Sequence, residues 1–221
     1  MRTFLSAVIP VRKGSQRVKN KNLRKFGNSN LLKIKIDQLK RVKEIDKIIV
    51  NTDSEKAIEI AKKNNVHYHL RDRYFASSKC SNSEFWSHIA DVTDSDFILF
   101  TNCTSPLVKD KTLRSIIKIF KKNKKKFDSF NTTTNVKEYL IKNNKALNFK
   151  IGKTQNSQDL PDIKKFNFAI NIISQKKMYK KKTVIGSKPY LFDLSEYEGF
   201  DIDTMYDFKF AEYLYKNGIS L

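Results

Sequence analysis

The chain of 221 residues is poor in the residue types that announce chemistry most directly. Two cysteines, Cys80 and Cys103, are too few and too isolated for a disulfide framework or a thiolate metal site, and both are expected as small packing residues. Neither common phosphate-binding signature is present, since no G-x-x-x-x-G-K-[ST] and no G-x-G-x-x-G occurs among only six glycines. No apolar run approaches the roughly 18 residues that span a bilayer. The apolar stretch before Pro10 is too brief for the core of a secretory signal, so a cytoplasmic protein is expected. Acidic residues are scarce as well, 23 against 44 Lys and Arg, which leaves a net charge of +21. That imbalance raises nucleic acid or an anionic membrane as partners. No nucleic-acid recognition motif accompanies it, however, and the lysines are scattered among Asn and Ile. The densest run, "FKKNKKKF" at Phe120 to Phe127, closes a predicted helix and reads as a solvated face. An anionic small substrate accounts for local positive charge equally well.

What the chain does have is a rhythm. "FLSAVIPV", "KIIVNTD" (Lys47 to Asp53), "VHYHL" and "DFILF" read as strands. Between and after them, helical patterns begin at Leu31, at "SEKAIEIAKKNN" with Ser54 as N-cap, at "NSEFWSHIADV" and at "KTLRSIIKIFKKN". This alternation predicts an α/β fold, Rossmann-like, with a mostly parallel central sheet flanked by helices. Such sheets bind ligands at the carboxyl ends of their strands. Each predicted strand ends in a polar cluster, at Arg12 to Asn22, Asn51 to Asp53, Arg71 and Asp72, and Asn102 to Ser105, and the four should meet on one rim. A further strand is expected near "FDSFNTTTN". From Asn131 to about Lys165 the chain turns polar and loses the rhythm, which suggests a small inserted excursion from a single domain. "FNFAINII" (Phe166 to Ile173) returns to the sheet, and "DIDTMYDFKFAEYLY" leads into a final helix.

Two constellations carry chemistry. After the first strand, Pro10, Arg12, Gly14, Ser15, Arg17, Lys21 and Asn22 form a loop in which Gly14 and Ser15 can turn backbone N–H groups inward while cations supply charge. That is the makeup of a triphosphate site, where the growing charge on a leaving pyrophosphate must be stabilised. Near the other end, Asp201 and Asp203 flank Ile202 in "GFDIDT", and an extended backbone puts both carboxylates on one face with Ile202 toward the core. Two such carboxylates plus substrate phosphates suit Mg²⁺. The competing reading has one aspartate capping the helix from Thr204 and the other pairing with a lysine. Asp207 is expected as a first-turn helix residue, favourable at the positive dipole end. His67 and His69 alternate on one strand face but have no third ligand at useful spacing, so they read as packing or surface positions. Phe85 and Trp86 read as core.

The order of these residues resembles a known family. "IPVRKGSQRVKNKNL", "IIVNTDSEKAIEIAKKNNV", "LRDRYFASS", "TNCTSPL" and "DIDTMYDFKFAE" are similar, in sequence, to segments of the CMP-sialic-acid synthetases, the acylneuraminate cytidylyltransferases. The resemblance implies transfer of CMP from CTP to an acidic sugar (sialic acid or a related nonulosonic acid) with release of pyrophosphate and dependence on Mg²⁺. It implies that the loop from Pro10 to Asn22 cradles CTP with Arg12 and Lys21 as charge partners, and that Arg71 and the Ser77–Ser83 region surround the nucleotide. Asn102, Thr104 and Ser105 would face the acceptor, as would Lys165 and Asn167, and Asp201 and Asp203 would hold the metal. The excursion would be a homodimerisation element, with Lys165 serving the neighbouring subunit. The sequence departs from the family pattern at the acceptor end. Asn102 and Cys103 replace a Gln-Pro, Ser78 an Asp, and "KFNFA" (Lys165 to Ala169) an "RxNGA". Lys is a point charge where Arg is a two-pronged clamp. These changes leave open a cytidylyltransferase acting on a phosphonate such as 2-aminoethylphosphonate; a reading from a different class is a noncatalytic basic α/β domain that binds nucleic acid.

Overall fold

The structure is a computed structural model that describes residues 3–15, 17–153 and 155–218. In chain order its strands and helices are β1 Thr3–Val11, β2 Lys25–Phe26, β3 Ser29–Asn30, α1 Leu31–Lys40, β4 Lys47–Thr52, α2 Glu55–Lys63, β5 His67–Leu70, α3 Arg73–Ala76 and α4 Asn82–Asp91. There follow β6 Ser95–Phe100, α5 Asp110–Asn123, β7 Ser129–Val136, β8 Ile141–Lys142, β9 Lys145–Ala146, β10 Ile163–Ser174, α6 Gln175–Lys181, β11 Pro189–Asp193 and α7 Met205–Lys216. The expected central sheet is present, seven-stranded, in the order β11-β7-β10-β6-β1-β4-β5. β1 pairs in parallel with β4 and β6, β4 with β5, and β7 with β11, while β10 runs antiparallel between β6 and β7.

The sequence explains why β1 is central. Leu5, Ala7, Val8 and Ile9 are all buried, as is Ser6 between them, so side chains on both faces are covered, as when helices flank a sheet on both sides. One face joins Leu5, Ala7 and Ile9 to α1 (Leu32, Ile36, Leu39) and α5 (Leu113, Ile117) in the main core. On the other, Val8 and Ile98 pack with Trp86, Ile89 and Met178. The chain crosses from β1 to β4 and β5 on one side and then returns from β5 to β6 on the other. The crevice where the strand order reverses, outside the carboxyl ends of β1 and β6, is where open α/β sheets place their ligands.

Caps set the helix starts. Asn30 caps α1, with its Oδ1 accepting from the Lys33 amide at 2.9 Å, and Ser81 and Glu84 form a reciprocal capping box at α4. Ser54 sits at the N-cap of α2, but its side chain makes no capping bond. The polar excursion is shorter than expected. β7 runs to Val136 and β10 begins at Ile163, so Asn131 to Thr134 are buried strand residues and Lys165 lies in the sheet. These polar side chains are tolerated inside because they bond one another: Asn131 Nδ2 donates to Asn171 Oδ1 at 2.9 Å and Thr132 Oγ1 to Asn167 Oδ1 at 2.5 Å. Between the two strands lies a small hairpin, β8–β9. Among the described residues no helix is long and apolar enough to cross a membrane.

Candidate active site

Three of the four polar clusters meet at one cleft, while Asn51 and Asp53 of the other line none of it and instead accept from Arg71 and from the Lys13 amide. Outside the ends of β1 and β6 lies a cleft of about 480 Å³ whose lining includes Pro10, Arg12, Ser15, Arg17, Lys21 and Asn22 from the first loop. Arg71, Ser77, Asn102 and Thr104 come from the later strand ends, and Asp201 and Asp203 from the segment before α7. Residues nearly two hundred positions apart thus share one space.

The first loop is built around Gly14, whose φ of +81° lies in the left-handed region, while a Cβ there would meet nothing within 4 Å. Backbone conformation, not crowding, is what calls for glycine. The loop is pinned from beneath, where the Lys13 amide donates to Asp53 Oδ1 at 2.7 Å. Gly14 itself lines the adjoining cleft behind the loop rather than the main one. Arg17 Nη2 donates to Asp203 Oδ1 at 2.6 Å, and Lys21 Nζ lies 3.8 Å from the same oxygen. Lys21 also donates to the Ile202 carbonyl, and burial pushes its pKa down.

The acidic pair is arranged as its spacing implies. Ile202 is fully buried between two carboxylates that both face the cleft. Neither caps α7, because Thr204 and Asp207 do so in a capping box of their own. Asp207 Oδ2 accepts from the amides of Asp203 (3.0 Å) and Thr204 (2.7 Å), so it is the first-turn residue expected. Asp201 has its pKa raised, by desolvation first, and its Oδ1 is buried with no hydrogen-bond partner. Thr104 bonds the Asp201 carboxyl, which leaves one oxygen unpartnered, and the carboxylate of Asp203 lines the same cleft. The donor set fits a hard divalent ion that completes its shell with water and phosphate. Among the described residues no group of three or more His, Cys, Asp or Glu could hold a metal alone. His67 is exposed, and His69 shares a 3.0 Å hydrogen bond with Asn51.

Arg71 is buried. Its Nε donates to Asn51 Oδ1 at 2.5 Å, its Nη2 donates to the Asn51 carbonyl at 2.6 Å, and its guanidinium lies 4.8 Å over the Phe85 ring. Desolvation lowers its pKa to about 10, so it stays charged as part of the cleft floor.

Several expected site residues lie outside the cleft's lining. Ser83 is exposed on α4, and its neighbour Asn82 takes the place in the wall. Ser105 is buried beneath its loop. Asn167 is buried where the β10 register shifts against β7, and its Oδ1 is used by Thr132. Lys165 is exposed on β10, yet close enough to Asp201 for its charge to lower that carboxyl's pKa. Conversely, Phe85 and Cys80, expected as packing residues, line the cleft together with Phe75 and Phe168. Trp86 and Cys103 are buried as expected. Phe85 is displaced from the core because α4 turns Trp86, its neighbour, onto the sheet against Phe100 (4.7 Å between ring centroids). Nothing in the local sequence separates the two aromatics.

Comparison with known proteins adds the remaining observations. A pseudaminic acid cytidylyltransferase of Campylobacter jejuni is 27% identical over 95% of each chain. The post-translational flagellin modification protein B of Campylobacter coli is 25% identical over 94% of this chain and 93% of its own. An N-acylneuraminate cytidylyltransferase of Escherichia coli is 31% identical over 54% of this chain and 29% of its own. Among solved structures, a CMP:2-keto-3-deoxy-manno-octonic acid synthetase complexed with CTP superimposes with a TM-score of 0.75 at 12% identity, over 98% of this chain and 100% of that one, a likeness of fold. The family model described as "Cytidylyltransferase" matches residues 6–219, and the chain, with its basic loop and acidic pair facing one cleft, belongs to that family of nucleotidyltransferases.

Proposed function

We propose that the protein transfers CMP from CTP to a nonulosonic acid and releases pyrophosphate. The observation that carries this reading is the single cleft shared by Arg12, Arg17 and Lys21 with Asp201 and Asp203. The cations receive the triphosphate, with the turn at Gly14 bringing Ser15 to the cleft, and Pro10 and Asn22 shape the rim. Arg71, Phe85 and Ser77 enclose the nucleoside end. Asp201 and Asp203 hold Mg²⁺, which when bound neutralises phosphate charge and makes the incoming hydroxyl easier to deprotonate. In the structure described here Arg17 is engaged by Asp203. Nucleotide binding therefore exchanges that partner for phosphate, a swap of one charge-assisted bond for another. Asn102 and Thr104 face the acceptor, with Lys165 close by and Phe168 as an apolar wall.

Support for the acceptor class comes from the relatives' names, which include pseudaminic acid cytidylyltransferase and CMP-N,N'-diacetyllegionaminic acid synthase. The hairpin excursion is proposed as a homodimer contact, since it exposes Tyr139, Ile141, Leu147 and Ile151. The test is pyrophosphate release from CTP and Mg²⁺ with pseudaminic, legionaminic and N-acetylneuraminic acids, and with 2-aminoethylphosphonate as a contrasting acceptor. Release with a nonulosonic acid is expected. Release with the phosphonate alone would reassign the acceptor, and silence with every acceptor would overturn the reading.

A further inference from the structure

A lysine outside the cleft sits on the buried face of α1 among Leu31, Leu32, Ile34 and Ile36. Lys35, in the second turn of α1, is 1% exposed. Its Nζ donates to Gln38 Oε1 at 2.7 Å and to the carbonyl of Ser105 at 2.9 Å. Gln38 in turn donates from Nε2 to the Val108 carbonyl. Burial drives the Lys35 pKa down to about 8, so at neutral pH the group is still charged while its hydrogen-bond partners are two neutral oxygens. Burying an ammonium this way is costly unless the bonds it makes are needed.

Those bonds have a specific target. The loop after β6 is fastened at Asn102, whose amide donates to the Phe168 carbonyl at 3.2 Å, and at Thr104, whose carbonyl accepts from the Ile202 amide at 2.9 Å. Ile202 separates the two carboxylates of the cleft. From Ser105 to Val108 the loop hangs from Lys35 and Gln38. One turn earlier in α1, the Leu32 amide donates to the Asn22 carbonyl at 3.0 Å, at the end of the cationic loop. One short helix therefore touches both loops that form the cleft, the first through a backbone bond and the second through Lys35.

We propose that Lys35 is a positioning residue for the acceptor side of the reaction: through Ser105 it fixes the loop that carries Asn102 and Thr104, and with it the Thr104–Ile202 contact beside the acidic pair. This rests on the reading of the cleft as a cytidylyltransferase site. Lys35 does not reach the substrate itself. Its loss leaves two buried acceptors unpaired without altering any group in the cleft's lining.

The experiment compares the wild type with Lys35→Met, which keeps the length of the chain and removes the donor, and with Lys35→Arg, which restores one. In Lys35→Met the acceptor KM is expected to rise about tenfold, with the Kd for CTP changed less than twofold, and amide hydrogen exchange over residues 102–108 to accelerate at least tenfold. Lys35→Arg should recover part of both effects. Should Lys35→Met not fold, Gln38→Met removes the Val108 bond and one Lys35 acceptor, and should shift the same two readouts by a smaller factor. Equal losses for CTP and acceptor, or unchanged exchange over 102–108 in a folded variant, would overturn the proposal. The exchange readout needs no turnover, so a wild type inactive with every acceptor would defeat the functional reading while leaving the anchoring role decided by exchange alone.

Discussion

Removing Asp203 should have opposite effects on binding and on turnover. In the free protein its Oδ1 lies 2.6 Å from Arg17 Nη2 and 3.8 Å from Lys21 Nζ. Without a divalent ion, the carboxylate both occupies cations that CTP needs and repels the phosphates. The side chains of Arg17 and Asp203 are 66% and 47% exposed, so their pair sits in a high dielectric and contributes roughly 0.2–1 kcal/mol. Repulsion between a carboxylate and a phosphate a few ångströms farther off adds about as much at water-like screening. Together these predict that Asp203→Asn binds CTP about two- to thirtyfold more tightly than wild type in EDTA, measured by isothermal titration calorimetry at low salt. The gain should shrink as salt is added, because exposed charges are screened. With Mg²⁺ the same variant should lose turnover by at least about a hundredfold, since it keeps the cations but halves the carboxylate pair. Weaker metal-free CTP binding in Asp203→Asn would refute the reasoning, because it would mean that the Arg17–Asp203 contact organises the loop instead of competing for it. Full activity would show that the carboxylate is structural.

Other expectations address single parts of the site and the fold. Arg12→Ala should raise the Kd for CTP at least about tenfold in calorimetry and leave the acceptor KM within about twofold; the reverse pattern would mean that the cleft has been read back to front. Asp201→Asn should raise Tm while abolishing turnover, because desolvation raises the Asp201 pKa and the neutral amide avoids that cost. If the hairpin is the proposed homodimer contact, changing both Ile141 and Ile151 to Lys should give a monomer in light scattering with an unchanged circular dichroism spectrum, since both side chains are exposed in the single chain. His88, stacked on Phe75 at 3.9 Å with Nε2 buried and unpartnered, has its pKa pushed down to about 4 by desolvation. The unfolded chain takes up this proton near 6.5 and the folded chain only near 4, so the unfolded state binds more protons in between and stability falls as pH drops through that window. His88→Phe, which keeps the stack, should flatten the slope of Tm against pH from about 6.5 to 4.

The sheet and the two ends of the cleft were legible because each depends on short-range patterning. Alternating strands and helices fix where the strand ends lie, and a one-residue spacing of carboxylates in extended backbone fixes their common face. What stayed hidden depends on pairing at long range. Asn131, Thr132 and Thr133 fall in the strand expected near "FDSFNTTTN", yet their polarity also places them at the start of the excursion, and nothing local shows that they are buried. They are buried because β10 supplies Asn167 and Asn171 to satisfy them. That same bonding takes Asn167 away from the acceptor. Lys35 was invisible for a related reason. In "LLKIKIDQLK", Lys33 and Lys35 look alike, yet Lys33 pairs with Asp37 on the surface while Lys35 is fully buried. A period of 3.6 residues rotates Lys35 onto the stripe of Leu31, Gln38 and Leu39, but that alone would predict an expelled charge. Retention follows from the carbonyl of Ser105, contributed by a loop 70 residues away, which turns a misplaced cation into an anchor. A polar residue on an apolar stripe is thus a question about a distant partner, and here the partner is the loop proposed to face the second substrate.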